Sequence, residues 1–303
     1  MNPRSDHATG RAAGPRLRIL QVASGMPNWG GAELHLVSLA AELAGRGHDV
    51  SVLCRPESFV ESEARKRCLP VLHGLVRSQS DFGAYGRLLP VLRAGRFDVL
   101  HVHMFPDHLV PPLAARAAGV PVRVFTHHLP FPLKKGAWKR FLIRQVLFDR
   151  AIGVSESVRR VLIGSGMSDR KVVAIHHGTE VETFRQGLRD PSEVRAEWGV
   201  TPDRFLIGMV GRLTKEKGVD IFLEAIRRLD DDRVVAVILG DGELRPELER
   251  TARESGIGGR VVFAGFRADV NNAMNALDVH VLASTWAEPC AAVIQQAMAL
   301  GKP

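Results

Sequence analysis

The chain has 303 residues, 45% hydrophobic and 24% charged, with a formal net charge of +8; these are globular proportions, with material for one large core or two ordinary ones. No run approaches the ~18 apolar residues of a membrane-spanning helix, and Cys54, Cys68 and Cys290 show neither metal-ligand spacing nor an even disulfide set, which fits a reducing cytoplasm. Charge is uneven: residues 1–185 carry 26 Lys and Arg against 15 Asp and Glu, a net +11, whereas 186–303 carry 15 against 18, a net −3, so the first part is the one expected to meet an anionic surface or acceptor.

No recognition-helix, zinc or RNP pattern points to nucleic acid as that partner. Residues 1–16, polar and lacking the apolar stretch of a signal peptide, read as a disordered tail. LRILQVA (17–23) is strand-like, SGMPNWGGAE is a Gly/Pro turn, and a helix follows with Leu36, Leu39, Ala40 and Leu43 on one face, stopped by Gly45 and Gly47. With the strand HDVSVLC (48–54) this makes a parallel βαβ unit. Further strands are expected at 97–102, 121–126, 150–154 and 172–175.

Open parallel sheets bind ligands at the carboxyl ends of their strands, where this sequence holds Gly30-Gly31, His103, His127-His128 and Ser155. A lone histidine in such a place is more often structural; histidines at two strand ends beside a Gly-Gly turn favour a site. Gly30-Gly31 opens a helix whose unpaired N–H groups suit an anion, or it is simply a tight turn. A dinucleotide-binding fingerprint is disfavoured, because PNWGGAE is not GxGxxG and the second strand ends at Cys54-Arg55 with no acidic residue for a ribose. Residues 131–150, FPLKKGAWKRFLIRQVLFDR, interleave Lys134, Lys135, Lys139, Arg140, Arg144 and Arg150 with Trp138, Phe141, Leu142 and Phe148. That pattern suits an interfacial helix on anionic lipid, or an ordinary surface helix with a packed apolar face.

The stretch 186–204, with Pro191 and Pro202, reads as a linker carrying a short helix at 192–198. A second βα series begins there, with strands near 205–210, 233–239, 260–264 and 278–282. The fold class expected is therefore α/β, with two Rossmann-like open parallel-sheet domains, residues 17–185 and 205–303, facing a cleft. In the second, the strand ending at Val210 turns through Gly211 into a loop bearing Arg212, Lys215 and Lys217, then Gly218 and a helix with Val219, Phe222, Leu223 and Ile226 on one face. Such cations on a strand-to-helix turn are placed to hold a diphosphate, Arg bidentately and Lys as a point charge. A last helix is expected over 290–300, and its GKP ending normally leads to another strand, so the second domain is expected to be incomplete.

GGAE after the first strand, HHGTEVETF, VGRLTKEKGVD, LGDGELR, VVFAGF and SxxxEP…QAMALGKP occur in the order found in retaining glycosyltransferases of family 4 with the GT-B fold, which the chain resembles over residues 17–303. The resemblance implies transfer of a sugar from a nucleotide-diphosphate donor to a hydroxyl acceptor, without metal or other cofactor, in cell-envelope polysaccharide or glycolipid synthesis. It implies a glycan or lipid-linked acceptor; the cysteines and the basic stretch 131–150 together lead to the expectation of a cytoplasmic protein peripheral to the inner face of the membrane. By position, Arg212 and Lys217 look like the pair that neutralises the donor diphosphate beside Gly211, and Glu288 like the acidic residue near the donor sugar. Gly30 and Gly31 resemble the loop where phosphate and acceptor meet, and His127 or His128 the histidine near the reacting carbon; His103 is a further acceptor contact. Two positions depart from the family. Its E-x7-E motif has Gln296 where a second Glu binds the nucleotide ribose, and its EPFG reads Glu288-Pro289-Cys290-Ala291. Together with the short C-terminus, Gln296 leaves open an alternative, a non-catalytic relative that binds a sugar nucleotide or a partner.

Overall fold

The computed structural model describes residues 14–24, 30–74, 76–78, 81–133, 141–229 and 231–303. The chain divides into two units, residues 1–175 and 176–303.

The first unit holds strands β1 (Arg18–Ala23), β2 (Asp49–Cys54), β3 (Val71–His73), β4 (Val99–Val102), β5 (Val122–His127), β6 (Arg150–Gly153) and β7 (Val172–Ala174). They form one sheet in the order β3-β2-β1-β4-β5-β6-β7, every pairing parallel. Parallel strands need crossovers, and helices α1 (Gly31–Gly45), α2 (Phe59–Lys66), α3 (Phe82–Gly95), α4 (Val110–Ala117) and α5 (Glu156–Gly164) supply them. Because successive side chains point to opposite faces, β1 feeds two cores. Leu20 and Val22 join Leu53, Leu100, Val102, Phe125 and Phe148, while Ile19 and Ala23 join Leu36, Val37, Ala40 and Val52. Helix α1 is turned slightly from the face expected of it: Val37 is fully buried, and Leu39 and Leu43 are only half-buried.

Residues 131–150 do not form one interfacial helix. Phe131–Leu133 are non-helical, Leu142–Leu147 wind as a π-helix, Phe148 is extended and Arg150 opens β6. Ile143, Leu147 and Phe148 are buried in the core, so they are spent on packing; Phe141 alone of the described aromatic residues here is exposed. Lys134, Lys135, Trp138, Lys139 and Arg140 lie outside the described residues. Among the described residues no helix is long and apolar enough to cross a membrane.

The second unit begins with α6 (Val181–Arg185) and α7 (Pro191–Glu197), then β8 (Phe205–Val210), α8 (Val219–Leu229), β9 (Val234–Leu239), α9 (Arg245–Glu254), β10 (Val261–Gly265), α10 (Val270–Asn275), β11 (Val279–His280) and α11 (Ala292–Ala299). Its sheet runs β10-β9-β8-β11, again all parallel. This repeats the β3-β2-β1-β4 order of the first unit. Helix α8 buries the four apolar residues expected of it. The stretch 186–204 is docked rather than loose: Arg195 pairs with Asp278 at 2.8 Å and donates to the Ala276 carbonyl at 2.9 Å, and the Arg189 amide donates to the Asn272 side chain at 2.9 Å. β11 is shorter than the 278–282 expected, because the chain leaves the ladder after His280 towards the loop that carries Glu288.

Candidate functional site

In each sheet the strand order reverses beside the first strand of the unit, between β1 and β4 and between β8 and β11. Open parallel sheets leave a crevice at the carboxyl ends of strands at such a reversal. Arg212, Lys217 and Glu288 all lie on loops leaving β8 or β11 at that end of the second sheet.

Backbone contacts lock these loops together. Gly240 stands at φ +137°, and a Cβ there would come within 1.9 Å of the Gly211 carbonyl oxygen. Gly218 stands at φ +65°, where a Cβ would meet the Ala283 carbonyl oxygen at 2.1 Å. Only glycine allows either approach. The Thr285 amide donates to the Glu216 carbonyl at 3.0 Å, tying the loop after β11 to the loop after β8.

On this platform the Lys217 ammonium forms an ion pair with Glu288 Oε1, and Ser284 Oγ donates to the same oxygen at 2.9 Å. Both charged side chains are about one-quarter exposed, 25% and 26%, so the pair is fixed yet open to a ligand. Glu288 Oε2 accepts no hydrogen bond among the described residues. Arg212 is exposed, and its guanidinium makes no hydrogen bond or ion pair among the described residues. Gln296 lies half-buried on α11. The arrangement offers two cations, one committed to a carboxylate and one open, beside a carboxylate oxygen that can accept from a hydroxyl. That set suits an anion joined to a polyol.

At the reversal in the first unit, histidines gather. His101 and His103, two apart on or just past β4, share a face with ring centroids 4.1 Å apart. His35, from the start of α1, lies 6.1 Å from His103 and 5.8 Å from His128, and His128 lies 5.7 Å from His103. His103 Nε2 donates to Gln21 Oε1 at 2.7 Å, and His101 Nε2 bonds Thr126 Oγ1 at 2.8 Å. Burial lowers His35 to about 4 and His101 to about 3, the neighbouring His35 adding to the second shift. Both are therefore neutral at physiological pH and able to exchange hydrogen bonds with hydroxyls. Gly30 caps α1 in extended geometry, Gly31 is its first residue, and the nearly buried Glu33 sits in its first turn.

The adjacent histidines part company. His127 is the last residue of β5 rather than a residue past it; its Nε2 donates to the Phe131 carbonyl at 2.8 Å and its ring stands 6.4 Å from those of His108 and Phe125. His128 alone of the two joins the cluster with His35 and His103. The buried Asp107 accepts from both the amide and the hydroxyl of Ser24, just past β1, and burial pushes its carboxyl up to about 7. Sequence reasoning missed His35, His101, Gln21 and Ser284. His101 was detectable, since it stands two residues before His103 in a strand and must share its face, and so was Ser284, the first residue of SxxxEP, four residues before Glu288; His35 and Gln21 join only through tertiary packing.

A family model described as Glycosyltransferase Family 4 matches residues 29–183, and one described as Glycosyl transferases group 1 matches residues 190–303. The UDP-Gal:alpha-D-GlcNAc-diphosphoundecaprenol alpha-1,3-galactosyltransferase of Escherichia coli is 25% identical over 272 residues, 84% of this chain and 70% of that protein. The Bacillus subtilis protein EpsF is 31% identical over 219 residues, 69% of this chain and 57% of its own length. Among solved structures, Anabaena Alr3699/HepE in complex with UDP and glucose aligns with a TM-score of 0.81 at 23% identity, covering 95% of this chain and 80% of that one.

Proposed function

This chain belongs to glycosyltransferase family 4, and on that premise we propose that it moves a sugar from a nucleotide-diphosphate donor to a hydroxyl acceptor with retention of configuration and without a metal. The observation that carries the reading is the Lys217–Glu288 pair beside the exposed Arg212, fixed on glycine-packed loops at the strand-order reversal of the second sheet. Arg212 grips the diphosphate with its open guanidinium fork, and Lys217 adds its charge from the side of Glu288. As the bond from the anomeric carbon to the phosphate oxygen breaks, negative charge grows on that oxygen, and both cations stabilise it. They supply the charge a divalent cation would otherwise bring. Glu288 holds Lys217 through Oε1 and accepts from a donor-sugar hydroxyl through Oε2.

The acceptor hydroxyl attacks the anomeric carbon from the side the diphosphate leaves, and its proton passes to the departing phosphate oxygen. Retention follows from that same-side geometry. His128, with His35 and His103, supplies hydrogen-bonding groups for hydroxyls, His35 held neutral by its burial. Gly30-Gly31 at the start of α1 contributes backbone N–H groups to the same rim.

UDP is the nucleotide favoured, since the Escherichia coli relative is named for UDP-Gal and the Anabaena structure holds UDP and glucose. The former's diphosphoundecaprenol acceptor supports a lipid-linked or envelope glycan as the acceptor class. The net +11 of residues 1–185 suits an acceptor that carries phosphate or lies on an anionic membrane. The test is a panel of UDP-, GDP- and ADP-sugars, with and without EDTA, read as nucleoside-diphosphate release. Release from one donor, unchanged by EDTA, is the expected result. Binding without release from any donor, with candidate glycan and polyprenol-linked acceptors present, would favour the non-catalytic alternative that Gln296 raises.

A further inference from the structure

The loop that carries Glu288 has little backbone support. After the Thr285 amide donates to Glu216, the amides of Ala287, Glu288, Cys290 and Ala291 make no backbone hydrogen bond among the described residues, and Pro289 has none to offer. Side chains must therefore place it. Ser284 and Lys217 hold Glu288 itself; two residues on, Cys290 Sγ accepts from Gln295 Nε2 at 3.2 Å. The same amide nitrogen donates to the His177 carbonyl at 2.8 Å, and Gln295 Oε1 accepts from Thr179 Oγ1 at 3.3 Å. Gln295 stands on α11, so one half-buried side chain clips together three pieces: that helix, the loop of Glu288, and the segment 176–179 through which the chain enters the second unit.

We propose that Gln295 is a positioning residue for the donor-sugar carboxylate, holding Glu288 in place through Cys290 while tying that loop to the entry segment at His177 and Thr179. This rests on the donor site proposed above. The chemistry suits an amide alone. Its nitrogen has two protons for two acceptors, the His177 carbonyl and the Cys290 sulfur, and its oxygen takes the Thr179 hydroxyl. A carboxylate in its place would face the His177 carbonyl with no proton to offer. Neighbouring Gln296 makes none of these bonds, which separates a positioning role at 295 from a ligand-contacting role at 296.

The test uses the full chain with Gln295→Leu, Thr179→Val, Cys290→Ala and the double variant Gln295→Leu/Cys290→Ala. With a UDP-sugar donor, Gln295→Leu is expected to lower kcat/KM by about 10- to 100-fold, the loss of two or three hydrogen bonds. The Kd for UDP alone, which lacks the sugar that Glu288 meets, is expected to stay within about threefold by the same arithmetic. The double variant should be no worse than Gln295→Leu, since both changes cut one connection. Thr179→Val, the mildest change, should give a smaller loss in the same direction. Equal losses for UDP and UDP-sugar, or additive losses in the double variant, would overturn the proposal.

A second readout needs no turnover. In a Cys68→Ser background, with Cys54 buried, Cys290 should react with a maleimide several-fold faster once Gln295→Leu releases it. An unchanged rate overturns the proposal even if the chain turns over no sugar nucleotide. Accelerated labelling in the Gln295→Leu variant, with a wild-type chain that releases no UDP, would sink the enzyme reading and leave the clip standing.

Discussion

Replacing Arg212 by alanine removes a guanidinium that is exposed and makes no hydrogen bond or ion pair among the described residues. The fold therefore loses almost nothing: surface changes of this kind stay within about 0.5 kcal/mol, which in a domain of this size moves Tm by no more than about 2 °C. The reaction loses a charge-assisted contact that strengthens as the diphosphate departs, by about 3–4 kcal/mol, or 10²–10³ in kcat/KM. Lys217→Ala is the internal control. Its ammonium is paired with Glu288, and both are about one-quarter exposed, so its removal costs stability between the ~0–1 kcal/mol of surface pairs and the ~3–5 kcal/mol of broken buried ones. The assay is nucleoside-diphosphate release in the presence of acceptor, paired with a thermal melt of each variant. Activity within threefold of wild type for Arg212→Ala refutes the diphosphate role. A drop in Tm well beyond 2 °C for the same variant would refute its being a surface group at all.

Four further outcomes are expected. Gly218→Ala puts a methyl 2.1 Å from the Ala283 carbonyl oxygen at φ +65° and should cost at least about 2 kcal/mol by urea denaturation; a neutral result would mean that the two loops separate freely. Gln296→Glu should lower the donor KM by about three- to tenfold by restoring charge to the ribose contact, whereas an unchanged KM removes Gln296 from the site. His128→Ala should lower turnover with little change in melting, and His127→Ala should do the reverse; identical behaviour of the pair would contradict their different surroundings. Finally, His35, His101 and His108 are held neutral by burial, with values of about 4, 3 and 3. Below pH ~6.5 the unfolded chain binds three protons the native one refuses, so stability falls with falling pH. Asp107, raised to about 7, has the opposite sign: its contribution is present below pH ~3.9 and is lost as pH rises towards 7. From these four groups the net of two protons makes denaturant stability fall by about 2.7 kcal/mol per pH unit between pH 6 and 4, and His127 and His280, also lowered by burial, act in the same direction. A flat profile there would show that these rings are solvated.

The sheets were legible because parallel strands buried on both faces write themselves as apolar runs; VVAVIL, the core of β9, is buried at all six positions. β3 was not, because three residues, two of them half-buried, carry no period. The glycine-bounded cationic loop after β8 was legible because Gly211, Arg212, Lys217 and Gly218 lie within eight residues of one another. The family order of the motifs singled out Lys217 and Glu288 separately, but their pairing spans 71 residues and only the structure shows it. The region 131–150 was ambiguous for a physical reason. A sequence that alternates basic and apolar residues looks the same whether its apolar side meets lipid or core, and here Ile143, Leu147 and Phe148 meet the core. The histidine cluster assembles from α1, β4 and the end of β5, and no spacing within one segment announces it.

Placing the first strand of each unit at the centre of its sheet has a consequence during synthesis. Val22 pairs with Leu53 on one side and with Val102 on the other. At ~5–20 residues per second, the edge of β1 that awaits β4 stays open roughly 2.5–10 s longer than the edge that meets β2. β8 waits similarly for β11, since Ile207 pairs with Val279. In both units the rim at the strand reversal is thus completed late, and until then it presents an apolar strand with an open edge, the kind that invites pairing with another chain. Substitutions in β4 or β11 should therefore be felt as lost soluble yield on the ribosome before they are felt as lost affinity in the folded protein.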